Sequence, residues 1–185
     1  SKKVRRKGWL GNYYEFGCFK GNSLIYHGEI KKLLSIFNRE LDEMAFYAFD
    51  SFEGLPSQKS EDHNDPIWKS GAYEGTLDEV KENVSRYKIQ NVEYIKGYYE
   101  NTLTDELADE MKRNPPSIIY IDVDMYSSTI AVLKWIDRIA LPGAICFFDD
   151  IWATGNHPEL GEAKAIEEYN SMKHNPKCLL LINLT

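Results

Sequence analysis

Four short apolar runs in this chain end in acids. The first, Tyr13-Tyr14-Glu15-Phe16-Gly17, carries Glu15, and the second, 44–50, closes on Asp50. The run 117–123 contains Asp122, and the run 144–148 is followed by Asp149-Asp150. Between the runs lie stretches with helical spacing. Strands alternating with helices specify a parallel, doubly wound sheet. In such sheets a ligand sits beyond the C-terminal ends of the strands. Four carboxylate positions brought to one rim repel one another unless a ligand relieves them. An acid at a strand end also serves as a helix cap, which accounts for one such acid more readily than for all four.

The first run leads into Gly17-Cys18-Phe19-Lys20-Gly21-Asn22-Ser23. A strand, a turn with two glycines and a helix start make a nucleotide-sized site. Glycine lets the backbone approach a ligand closely, and the helix N-terminus offers unpaired N–H groups to an anion.

The spacing predicts strands at 12–17, 44–50, 92–96, 117–123, 144–148 and 178–184. It predicts helices at 23–37, 76–87, 105–113, 128–139 and 161–172. In the first helix Leu24, Ile30, Leu33, Leu34 and Phe37 lie near one side, and Gly28 weakens it by about 1 kcal/mol relative to Ala. Thr76-Leu77-Asp78-Glu79 is a capping-box pattern. The segment 51–73 reads as a long loop, and a loop this long in a compact domain is usually functional or mobile. No linker divides the 185 residues, so the expectation is one three-layer α/β/α domain over 1–185, with 1–11 a basic tail.

The net charge of −7 argues against a nucleic-acid or anionic-membrane partner. No apolar run is long enough to span a bilayer. Cys18, Cys146 and Cys178 are widely spaced and show no Cys-x-x-Cys pattern. A reduced, cytoplasmic protein is therefore expected. Ser1 reads as a processed or cut end, and a homo-oligomer stays open.

Each acid suggests a role. An acid after the second strand typically accepts hydrogen bonds from ribose hydroxyls, which assigns Asp50; Phe52 beside it either packs on a purine ring or anchors the core or the loop. Hard divalent cations take oxygen ligands, and adjacent strand tips lie about 5 Å apart. Asp122, Asp149 and Asp150 therefore read as a Mg²⁺ site, with helix capping as the alternative for single members. A hydroxyl bound there needs a base. His157 comes first because its unperturbed pKa lies near neutrality, although a surface-loop histidine explains it equally. Asp124 is the second base or a further ligand.

The combination Glu15-Phe16-Gly17-x-x-x-Gly21-x-Ser23, Phe49-Asp50-Ser51-Phe52-Glu53-Gly54-Leu55-Pro56, Ile121-Asp122-Val123-Asp124-Met125-Tyr126-Ser127-Ser128 and Phe148-Asp149-Asp150 resembles the macrocin O-methyltransferase family. Gly161-Glu162-Ala163-Lys164-Ala165 resembles the family's helix after the paired acids. The resemblance implies a Rossmann-like class I fold and the cofactor S-adenosylmethionine (SAM). It implies Mg²⁺-dependent methyl transfer to a hydroxyl of a small molecule, a sugar by preference. Glu15, Gly17, Phe19, Gly21 and Ser23 would surround the methionine part, with Glu15 facing the amino group. Asp50 would hold the ribose, Ser51 and Phe52 would lie near the adenine, and Gly97, Tyr98 and Tyr99 would line its pocket. Asp122 would touch the cofactor and share the metal with Asp149 and Asp150. The segment 151–158 departs from the family pattern. The chain stops just after its sixth strand, where a complete methyltransferase sheet carries a seventh.

Two other classes stay in view. One is a non-catalytic SAM-binding or assembly module. The other is a nicotinamide-dependent oxidoreductase, against which the turn lacks Gly-x-Gly-x-x-Gly and the Asp149-Asp150 pair has no use. No Walker-type phosphate loop occurs.

Overall fold

The computed structural model describes residues 11–62, 68–153 and 159–172, and the backbone of 178–180. Six strands form one sheet in the order β3-β2-β1-β4-β5-β6: β1 Asn12–Phe16, β2 Phe46–Asp50, β3 Val92–Lys96, β4 Pro116–Ile121, β5 Ala144–Phe148 and β6 Cys178–Leu180. Every pairing among the described strands is parallel, as in Tyr14 opposite Tyr47 and Phe16 opposite Ile121. No seventh strand occurs among the described residues. Pro116 opens β4, the place in a strand where a missing N–H is tolerated.

Alternation along the strands builds two cores. Tyr13, Phe46 and Ala48 pack on α1 (Asn22–Ser35) and α2 (Leu77–Arg86) through Leu24, Ile25, Val80 and Val84. Their strand neighbours Tyr14, Phe16, Tyr47, Phe49, Ile119 and Ile121 point to the opposite face. There they meet residues of α4 (Asp105–Met111), α5 (Tyr126–Ile136) and α6 (Gly161–Ser171). A two-residue period with both faces covered gives three layers. A short helix, α3 (Tyr99–Thr102), follows β3 and has too few residues to leave a periodic signal. No described helix is long and apolar enough to cross a membrane.

Helix α1 departs from its expected orientation. It rests on the sheet through Leu24, Ile25 and Gly28, whereas Leu33 and Leu34 are exposed and Phe37 beyond the helix is 83 % exposed. Gly28 sets this packing. A Cβ there would lie 2.7 Å from the side chain of Ile89. The glycine that lowers helix propensity is what brings α1 close to its neighbour.

The loop after β2 is folded, not extended. Leu55 and Gly71 bond across it, and Gln58 donates to the Trp68 carbonyl at 2.8 Å. A one-turn 3-10 segment, Ser60–Asp62, sits inside it.

Candidate active site

The ladder continues past the strand ends and brings the acids to one rim. Gly17 N–H donates to Phe49 O, Asp122 N–H to Phe16 O, Asp149 N–H to Ile121 O and Gly97 N–H to Asp50 O, all at 2.9–3.0 Å. Beside this rim opens a cavity of about 350 Å³, within the usual size range of small-molecule sites. Gly17, Phe19, Asp50, Ser51, Gly97, Tyr98, Tyr99 and Asp122 all line it, together with Asp124, Asp149 and Asp150. Leu55, Pro56, Lys59, Trp68 and Tyr73 from the long loop form the facing wall.

Gly17 serves an end besides the expected one. Its φ is +83°, and a Cβ would stand 1.7 Å from the Asp122 carbonyl oxygen. The glycine is required by the close passage of β1 and β4, and it also lines the cavity. Gly21, at φ +80°, caps α1 in the left-handed region without a side-chain bond to the helix N–H groups.

Glu15 is fully buried and does not line the cavity. Tyr13 Oη donates to its Oε2 at 2.6 Å and Ser23 Oγ to its Oε1 at 2.7 Å. Burial raises its pKa to about 7 despite those two donors. The expected contact of Glu15 with a cofactor amine is thus replaced by a sealed hydrogen-bond network that also takes Ser23 out of the cavity. Phe52 is corrected too. It is 3 % exposed, lies in the core with Cys18 and Leu24, and packs edge-on to Tyr94.

Asp50 does line the cavity, and it organises the glycine turn. Its Oδ2 accepts the N–H groups of Cys18 and Phe19 at 2.6 and 3.1 Å, and its Oδ1 that of Phe52 at 2.7 Å. Ser51 Oγ also approaches Oδ1 at 3.4 Å, but its single proton goes to the Gly54 carbonyl at 2.8 Å, so of about four acceptor sites on a carboxylate one remains for a ligand hydroxyl.

The metal-type cluster differs from the expected one by a single member. One carboxylate oxygen from each of Asp122, Asp124 and Asp150 lies within 4.8 Å of the others. Asp149 stands apart, accepting a hydrogen bond from Tyr120 Oη at 2.5 Å. Asp124 enters because the chain turns sharply there, with φ +63°, a conformation Asp tolerates better than most residues. Burial, then the neighbouring carboxylates, hold Asp122 and Asp124 well above the ordinary carboxylate pKa. Three carboxylate oxygens this close together, at Asp122, Asp124 and Asp150, are the donor set a hard divalent cation takes. His157 lies outside the described residues.

Three features of the site carry no local signal in the sequence. Asp62, 2 % exposed, reaches from the loop to the start of α5, where Met125 provides no side-chain cap. Trp68, 7 % exposed, lines the cavity, and its indole N–H has no acceptor among the described residues. Glu162, 1 % exposed, accepts the Asp150 N–H at 3.0 Å.

An open parallel α/β sheet in the order β3-β2-β1-β4-β5-β6 with a ligand-sized cavity at the tips of its strands is a doubly wound, Rossmann-like fold. The solved structure of the O-methyltransferase NovP matches at a TM-score of 0.67 and 21 % identity, covering 87 % of this chain and 63 % of that one. The calicheamicin methyltransferase CalS11 matches at 0.68 and 22 %, covering 85 % and 63 %. An apo structure of CalS11, described as a TDP-rhamnose 3′-O-methyltransferase, matches at 0.55. At these identities the likeness carries the fold alone, and the chain spans somewhat under two thirds of those proteins. No curated protein matches. The profile of the Macrocin-O-methyltransferase (TylF) family matches residues 1–183, and the chain belongs to that family.

Proposed function

We propose that this chain is a SAM-dependent O-methyltransferase that acts on a hydroxyl of a sugar or sugar-bearing small molecule, with a divalent cation at Asp122, Asp124 and Asp150. The observation that carries the reading is one cavity shared by two acidic stations. Asp50 lies at the end of β2 and the three-carboxylate cluster beyond the ends of β4 and β5, with β1 between them. Family membership favours the methyl-transfer chemistry.

Asp50 keeps acceptor capacity for ribose hydroxyls while its bonds to Cys18 and Phe19 hold the turn in place. Gly97 and Tyr98, at the end of β3, line the cavity beside it for the base. The acidic rim favours a cationic sulfonium over a neutral ligand. A Mg²⁺ ion, when bound, orients an acceptor hydroxyl and lowers its pKa. Alignment of acceptor and sulfonium falls to the loop wall at Leu55, Pro56, Trp68 and Tyr73. Taking the hydroxyl proton falls to His157, with Asp124 the alternative base only where it does not serve as a ligand. If His157 is the base, His157→Ala lowers the rate by about 10²–10⁴-fold, whereas a loop histidine leaves it nearly unchanged.

The test is calorimetry with S-adenosylhomocysteine (SAH), followed by methyl transfer from labelled SAM to TDP-rhamnose and other sugar nucleotides with Mg²⁺ or EDTA. Binding with Mg²⁺-dependent turnover is the expected result. Binding without turnover on any sugar acceptor favours a SAM-binding module, a reading kept open by the chain's coverage of only 63 % of the NovP chain. Binding of NAD in place of SAH would sink both.

A further inference from the structure

We infer that Glu162 is a positioning residue for the cation site, a buried carboxyl that pins Asp150 from behind. The inference rests on the divalent-cation reading above. Glu162 lies in the first turn of α6 and is 1 % exposed. Its Oε2 accepts the main-chain N–H of Asp150 at 3.0 Å. The preceding N–H, that of Asp149, is held at 3.0 Å by the Ile121 carbonyl of β4. Two successive amides are thus fastened to two different elements, one to the sheet and one to α6. The two bonds restrain the backbone at 149–150, and the Asp150 carboxylate lies beside those of Asp122 and Asp124.

The choice of an acid here is informative. The surrounding positions of α6, Ala165 and Ile166, pack in the apolar core. An apolar residue at 162 would fit that core and leave the Asp150 N–H without its acceptor. A buried acid is costly to retain, and its Oε1 has no closely aligned hydrogen-bond partner among the described residues. The carboxyl is therefore poorly explained by packing, and the main-chain groups it faces, those of Asp150 and Val123, belong to the segments that carry the cluster. Groups behind a metal ligand that fix its orientation typically change metal affinity about 10–100-fold when removed.

Mn²⁺ binding, followed by electron paramagnetic resonance, separates the roles, with SAH affinity measured on each protein as a control. Glu162→Gln keeps an oxygen for the Asp150 N–H and is expected to bind Mn²⁺ within about 3-fold of the parent. Glu162→Leu keeps the volume and loses the tie, and is expected to bind at least about 10-fold more weakly with SAH affinity unchanged. Parent-like Mn²⁺ binding by Glu162→Leu overturns the inference. So does equal weakening in both variants, which assigns the effect to charge, or a parallel loss of SAH affinity, which assigns it to the fold. If the Leu variant does not fold, Glu162→Gln decides alone, a loss of about 10-fold counting against the tie. A parent protein that takes up no Mn²⁺ removes the cation reading itself, and this inference with it.

Discussion

Asp62 and Ser127 are 65 positions apart and share two hydrogen bonds, from the Ser127 N–H to Oδ1 at 2.9 Å and from Ser127 Oγ to Oδ2 at 2.6 Å. Ser127 stands in the first turn of α5, directly after the turn that places Asp124 in the cluster. A loop residue therefore caps the helix that forms one wall of the cavity, and the loop itself forms the other. Asp62→Ala strands the N–H groups of Ser127 and Lys59 that its carboxylate accepts. A destabilisation of about 2–4 kcal/mol is expected in urea unfolding. Ser127→Ala removes only the hydroxyl bond and should lose about 1 kcal/mol. Limited proteolysis should cut the Asp62 variant within 55–73 and spare the Ser127 variant. Equal protection of both would remove Asp62 as the fastening point.

The buried Glu15 makes stability depend on pH in a stated direction. Its pKa is about 7 in the fold against an ordinary 4.5. Below 4.5 the group is neutral in folded and unfolded chains alike. Between 4.5 and 7 the unfolded chain has released the proton and the folded chain has not, so stability falls as pH rises. Over the whole window the loss amounts to about 3 kcal/mol. Glu15→Gln lacks this ramp. The difference in urea midpoint between variant and parent should therefore shift in the variant's favour from pH 5 to pH 8. Parallel curves for the two proteins would show that Glu15 ionises normally.

Two glycines with nearly the same backbone test what the close passage at Gly17 demands. Gly17 and Gly71 have φ of +83° and +77°, but a Cβ at Gly71 meets nothing within 4 Å. Gly71→Ala should lose about 1 kcal/mol, the conformational term alone. Gly17→Ala drives a methyl group into the Asp122 carbonyl and should lose at least about 3 kcal/mol, with SAH binding lost alongside. Similar midpoints for both variants in thermal melts would mean that β1 and β4 part easily.

The sheet was legible because each strand leaves a local signature. A run such as Ser117–Val123 is apolar enough to need cover on both faces, and its acid falls at the tip by simple counting. What lies behind the tips was not legible. Glu15 reads as a rim acid until Tyr13 and Ser23 are seen to close over it. Glu162 reads as an ordinary first-turn acid, since nothing nearby in sequence tells that Asp150 is its partner. In the first helix the apolar positions grouped on one side divide, Leu24 going to the core and Leu33, Leu34 and Phe37 to the surface, because periodicity does not say which side meets the sheet. The bulk of Ile89 against Gly28 decided that question.

The replacement of Asp149 by Asp124 in the cluster gives the sharpest test at the site. Asp124 contributes an oxygen to the group spanning 4.8 Å, whereas Asp149 is turned to Tyr120. A cation held by three carboxylates loses a ligand in Asp124→Ala. Mn²⁺ affinity should then fall by at least about 10-fold, and methyl transfer should fall with it. Asp149→Ala removes a neighbouring charge without removing a ligand, and a change of only about 3-fold is expected in the same titration. SAH affinity should stay near the parent value in both variants, because Asp50, the proposed ribose acceptor, stands at the end of β2, with β1 between it and the cluster at the ends of β4 and β5. If Asp149→Ala is instead the variant that loses the ion, Asp149 must leave Tyr120 on loading. The three-carboxylate arrangement then describes only the empty protein.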